Sequence, residues 1–132
     1  MKISVSLIDK SLREHSRPDT IPQLMRFFKA VPGGYGEGDR FLGVRVPNQR
    51  MVAKRFFREI SLPELAGLLE SPWHEHRLTA LFMMVLRYQK TRGSNEQAEI
   101  KDLYLRHLNK VNNWDLVDSS ADKILGAWCW AH

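Results

Sequence analysis

The chain has 132 residues, 43% of them apolar and 27% charged. That is enough to bury one core, and it is the balance of a folded, soluble domain rather than a disordered chain. No apolar run approaches the roughly 20 residues of a membrane helix, and the opening MKISVSLIDKSLREHS has neither the long apolar stretch nor the cleavage site of a secretory signal. The single cysteine, Cys129, rules out an internal disulfide or a thiolate-built metal site and fits a reducing cytoplasm. The net charge of +5 is unevenly spread. Residues 1–60 hold twelve basic and six acidic side chains, against eight and nine in residues 61–132. A basic half of this kind suits a polyanion-facing surface.

Most of the chain has a period of 3.6. Ile3, Leu7, Ile8 and Leu12 predict a first short helix ending near Ser16-Arg17-Pro18. Thr20 is placed to cap a second, with Pro22 in its first turn and Leu24, Met25, Phe27 and Phe28 packing inward. Glycines around Tyr35, in residues 33–39, break it. Residues 48–60 predict a third helix with Met51, Val52, Phe56 and Ile60 inside, and Ser61-Leu62-Pro63-Glu64 has the capping-box spacing of a fourth, through Leu69. Ser71-Pro72 opens a fifth helix whose run from Leu78 to Leu86 is apolar on nearly every face, as in a helix buried between neighbours.

After the break at 92–95, Ile100, Leu103, Tyr104 and Leu108 mark a sixth helix; a seventh begins around Asn113 and carries Val117, Ile124, Leu125 and Trp128. The only strand candidate, Phe41–Val46, is short and lone. The expectation is a single all-α domain over residues 1–132, its antiparallel helix pairs stacked as a HEAT- or armadillo-like α-solenoid. The terminal Trp128-Cys129-Trp130 lacks the polar face of a capping repeat, so the solenoid is read as incomplete or as covered there by a second copy.

Four features could carry chemistry. On a helix, Trp114 and Asp118 share one face a turn apart. A flat apolar wall beside a carboxylate suits a transition state that develops positive charge on a sugar. Taken alone, the pair reads more simply as a core tryptophan and a helix-capping aspartate. The Tyr35 loop lacks GxGxxG spacing and a GK[ST] ending; it is either a connector or a place where glycine amides approach a phosphate beside an aromatic ring. Arg45, Arg50, Lys54, Arg55 and Arg58 cluster, with Arg50, Lys54 and Arg58 spaced by four as a rail for phosphates, or as solvated surface. His74-Glu75-His76 points its histidines apart on a helix, so no metal site is expected.

In sum, Tyr35-Gly36-Glu37-Gly38-Asp39-Arg40-Phe41-Leu42-Gly43-Val44-Arg45-Val46-Pro47, followed by Asn113-Trp114-Asp115-Leu116-Val117-Asp118, resembles the DNA alkylation repair family, the AlkD-like DNA glycosylases of HEAT-repeat fold. Ser71-Pro72, His74-Glu75-His76-Arg77 and Leu125-Gly126 fall in the same order, so the resemblance covers most of the chain. It implies excision of cationic N3- and N7-alkylated purines from duplex DNA without a metal or organic cofactor. Asp118 would stabilise the oxocarbenium-like sugar, with Trp114 against the deoxyribose. Phe27 stands where some members have a site-lining tyrosine, and Tyr35 joins it as a substrate-side residue. Arg45, Arg50 and Lys54 are the expected phosphate contacts. Family members continue beyond residue 132 into helices that add a further tryptophan and basic DNA contacts. The alternative function is a non-catalytic helical-repeat module binding nucleic acid or a protein partner.

Overall fold

A computed structural model describes residues 2–34, 36–91, 93–110, 116–117 and 119–131. Helix α1 spans Val5–Arg13, α2 Ile21–Phe27, α3 Val46–Phe56, α4 Leu62–Leu69, α5 His74–Lys90 and α6 Ser94–Arg106. A wide-turn segment, Asp122–Gly126, runs directly into α7, Ala127–Ala131. The described residues are all-helical: Phe41–Val46 is no strand, and the only bridge is a lone pairing of Arg40 with Trp73. No described helix is long and apolar enough to cross a membrane.

Helix α5 lies at the centre, packed on α3, α4, α6 and the terminal segment, with α1 bridging α3 and α4. Its residues from His74 to Val85 are all buried, as expected of a helix apolar on most faces. The caps explain the boundaries. Ser4 Oγ accepts the Leu7 amide to start α1, and Ser61 Oγ accepts the Glu64 amide to start α4. The expected reciprocal arm of that box goes elsewhere: Glu64 Oε2 accepts the Val5 amide at 2.9 Å, so one side chain ties the starts of two helices.

Several sequence expectations are corrected. Thr20 caps nothing, because its hydroxyl donates back to the Arg17 carbonyl and a 3-10 turn at Pro18–Thr20 feeds α2 instead. Met25 and Phe27 face outward, Phe27 with 59% of its surface exposed, while Phe28 is buried against Phe41. Helix α3 begins at Val46, two residues early, since Pro47 fits a first helical turn where its missing amide costs nothing. Met51 is 51% exposed, and α3 ends at Phe56, so Arg58 leaves the Arg50–Lys54 stripe. Leu108 sits exposed in a 3-10 turn beyond α6.

The expected seventh helix is broken at Ser119–Ser120, and Val117 on it is exposed. Ser120 Oγ donates to the Leu116 carbonyl at 2.5 Å, which competes with the helical ladder, and shares a bond of 2.9 Å with the buried Tyr104 hydroxyl. Burial, the largest influence, raises the Tyr104 phenol above its ordinary 10.0, so it stays a donor at neutral pH.

Candidate nucleic-acid interface

The residues after α5's start organise the whole N-terminal half. Glu75, 1% exposed, accepts the amides of Leu42 at 2.8 Å, Gly43 at 2.8 Å and Val44 at 3.1 Å. The apolar segment 41–45 therefore finds its hydrogen bonds in one carboxylate rather than in a neighbouring strand. His74 Nδ1 meets Asp39 Oδ2 at 2.5 Å, and the Arg77 guanidinium meets Asp39 Oδ1 at 2.5 Å. His76 instead reaches Asp9 of α1 at 2.7 Å and Ser71 Oγ at 2.8 Å. His74 and Arg77 thus pin Asp39, Glu75 pins residues 42–44 and His76 pins α1 onto α5. Among the described residues, no three His, Cys, Asp or Glu side chains group so as to hold a metal ion.

The 33–39 loop is folded back on itself. The amides of Gly34, Gly36, Glu37 and Asp39 donate to carbonyls of Val31, Lys29, Gly34 and Gly36. Those four amides are committed within the turn, which leaves them no role in cradling a phosphate.

Two clefts lie in line along α3 and α5 and together make a groove, the first of them walled by segment 41–45 and α2. One end is a cleft of about 190 Å³ lined mainly by apolar and aromatic side chains, among them Phe27, Phe28, Phe41, Val44 and Leu78, with Arg45 just before α3 and Gln49 on it. Phe28, Phe41 and His74 stack there, their ring centroids 4.8–5.6 Å apart. The other end is a pocket of about 230 Å³ lined by Arg50, Lys54, Phe82, Gln89, Ser119 and Lys123. On α5 the two ends share one stripe, His74 and Leu78 followed by Phe82, Val85 and Gln89 at steps of three and four. Along α3 the order is the same, Arg45 and Gln49 before Arg50 and Lys54. The two helices line the groove in the same sense, and the exposed Arg50 and Lys54 of α3 sit at its C-terminal end.

The sequence matches the family described as DNA alkylation repair enzyme over residues 8–132. The chain belongs to that family. No curated protein and no solved structure matches it. Membership gives the chain an enzyme's part in DNA repair and points to DNA as its partner.

In this DNA alkylation repair enzyme, the expected phosphate contacts divide. Arg50 and Lys54 come together at the cationic end, whereas Arg45 lies at the aromatic end with Phe27. Trp114, Asp118 and Tyr35 lie outside the described residues. Several groove residues escaped the sequence reading, Gln49, Gln89, Ser119 and Lys123 among them. Lys123 and Ser119 stand beside Arg50 and Lys54 although more than 60 positions separate them in the chain. Their only signal was proximity to Asp118, beyond which the segment was read for its apolar residues alone.

Proposed function

We propose that this chain is a DNA glycosylase that excises cationic N3- or N7-alkylated purines from duplex DNA, built as a HEAT-like solenoid. The observation that carries the reading is the cationic end of the α3–α5 groove. In a member of a DNA repair family, Arg50, Lys54 and Lys123 gather there around Ser119, the sequence neighbour of Asp118. Cations at that spacing suit the phosphates of a duplex. The shared direction of α3 and α5 supports the solenoid, in which every second helix repeats its orientation.

In this reading Asp118 supplies the chemistry. An alkylated purine carries a positive charge that it loses on departure as a neutral base, so it needs little protonation. The charge then develops on the deoxyribose, and a fixed carboxylate stabilises it most where water is excluded. Water adds to the anomeric carbon and gives its proton to the carboxylate or to solvent. Trp114 supplies the flat wall against the sugar, and Arg45, Arg50 and Lys54 hold the backbone.

Release of 7-methylguanine from methylated duplex DNA tests this directly, with Asp118→Asn as the partner variant. Release by the parent chain that Asp118→Asn abolishes while remaining folded is the expected result. Salt-sensitive DNA binding without any release would instead support the non-catalytic module.

A further inference from the structure

The chain on either side of Asp118 is tied to α6. Asp118 itself lies outside the described residues, but Leu116–Val117 before it and Ser119–Ser120 after it are described. Ser120 holds the two residues that precede Asp118: its amide donates to the Val117 carbonyl at 3.1 Å and its hydroxyl to the Leu116 carbonyl at 2.5 Å. The Tyr104 hydroxyl of α6 lies 2.9 Å from the same Ser120 Oγ. A serine hydroxyl carries one proton, and here it is given to Leu116, so Tyr104 is the donor to Ser120. The phenol, its pKa raised chiefly by burial, keeps that proton at neutral pH.

All three residues of this relay are buried, Tyr104 at 1% exposure and Ser120 and Leu116 at 0%. In such surroundings each bond strengthens the next, and a group that loses its partner has no water to replace it. The relay ends beside the groove. Ser119, next to Ser120, lines the cationic pocket with Arg50 and Lys54. The Ile124 amide donates to the Ser120 carbonyl at 3.0 Å, so the segment that brings Lys123 to the same pocket also starts from Ser120. Among the described residues, none of α6 lines either cleft. Tyr104 therefore reaches the groove through Ser120 and not by touching what the groove binds.

We propose that Tyr104 is a positioning residue for base excision, its hydroxyl fixing through Ser120 the chain that presents Asp118 to the deoxyribose. The inference rests on Asp118 being the carboxylate of that reaction. A carboxylate stabilises a developing positive charge best from a fixed place, and a displacement of about 1 Å can cost about a hundredfold in rate. Tyr104→Phe keeps the buried ring and removes one oxygen. Ser120 then keeps its bond to Leu116 but loses the donor that holds it from the side of α6.

The test is release of 7-methylguanine from methylated duplex DNA with the full chain in excess, so that the maximal rate and the half-saturating concentration are read separately. The parent is compared with Tyr104→Phe, Ser120→Ala, the two combined, and Tyr88→Phe, which removes the hydroxyl of another buried tyrosine. Tyr104→Phe should lower the maximal rate about tenfold and leave the half-saturating concentration and its salt dependence as in the parent. Tyr88→Phe should match the parent in both. The combined variant should be no slower than Ser120→Ala, since both changes break one relay. Losses that multiply in the combined variant, or a loss as large in Tyr88→Phe, would overturn the relay. So would weaker binding at an unchanged maximal rate, which would make Tyr104 a support of the groove alone. A Tyr104→Phe chain as fast as the parent would overturn the positioning role and leave the glycosylase standing. A parent chain that releases no base would end the glycosylase reading and this inference with it.

Discussion

The Arg50 guanidinium lies over the ring of Phe82, 4.1 Å from its centroid, and so joins α3 to α5 at the cationic end of the groove. A contact of this kind at an exposed site contributes about 0.5–1 kcal/mol, so its main effect is to hold the charge in place. Lys54, one turn on, has no such anchor among the described residues and works as a mobile point charge. The two cations should therefore differ when removed.

Lys54→Ala is expected to weaken duplex binding about equally for all sequences and to lower the slope of log affinity against log salt by about 1. Arg50→Ala should do the same and also loosen the Phe82 wall, lowering thermal stability slightly. Binding titrations at several salt concentrations, with melting curves, would check both. An unchanged slope in Lys54→Ala would put the phosphates elsewhere.

Glu75 is the second test, of the fold that shapes the groove. Its carboxylate takes three backbone amides inside the protein. Glu75→Gln keeps the volume but turns an N–H toward amide donors and removes the charge that made the bonds strong. The expected loss is about 3 kcal/mol in urea unfolding at similar m-value. A loss below about 0.5 kcal/mol would mean that segment 41–45 is held by its apolar contacts alone.

Gly43 and Gly38 form a matched pair. Both have positive φ, 81° and 86°, but a Cβ on Gly43 would lie 2.5 Å from the Arg17 carbonyl oxygen, while one on Gly38 meets nothing within 4 Å. Arg17 also donates its amide to the Gly43 carbonyl at 2.8 Å, so the two backbones cannot separate freely. Gly38→Ala should cost about 1 kcal/mol from backbone strain alone. Gly43→Ala should cost about 2–3 kcal/mol, with the clash added. Equal losses would show that the 41–45 segment yields easily.

The helices were legible in the sequence because periodic burial is a local signal: Ile8 and Leu12, Leu65 and Leu68, and the run from Leu78 to Val85 are all buried. The lone strand was misread because Phe41–Val46 has strand-forming residues, yet its amides are satisfied by Glu75, more than 30 positions away. Phe27 and Met51 were misplaced for a different reason. Apolar residues are assigned to a core by pattern, but a folded surface also carries single apolar side chains that the pattern does not mark. Arg50 and Lys54 were found by spacing on one helix. Lys123 was missed because only the tertiary fold carries it to them.

His76 joins α1 to α5, and its titration should be visible. Burial, the largest influence, lowers its pKa below the ordinary 6.5, opposed by the Asp9 carboxylate and Glu75 and aided by Arg13. The neutral ring fits its surroundings, with Nε2–H donating to Asp9 and Nδ1 accepting from the Ser71 hydroxyl. Because the unfolded chain takes up its proton first, unfolding binds protons in the interval between the lowered value and 6.5. The contribution is thus complete above pH 6.5 and is lost as the pH falls through the folded value. Urea unfolding should show stability rising with pH across that interval and level above it, with a shallower rise in His76→Gln. Proton NMR of the imidazole should place its midpoint below 6.5. A midpoint above 6.5 would mean that Asp9 outweighs burial and that the α1–α5 link strengthens on acidification instead.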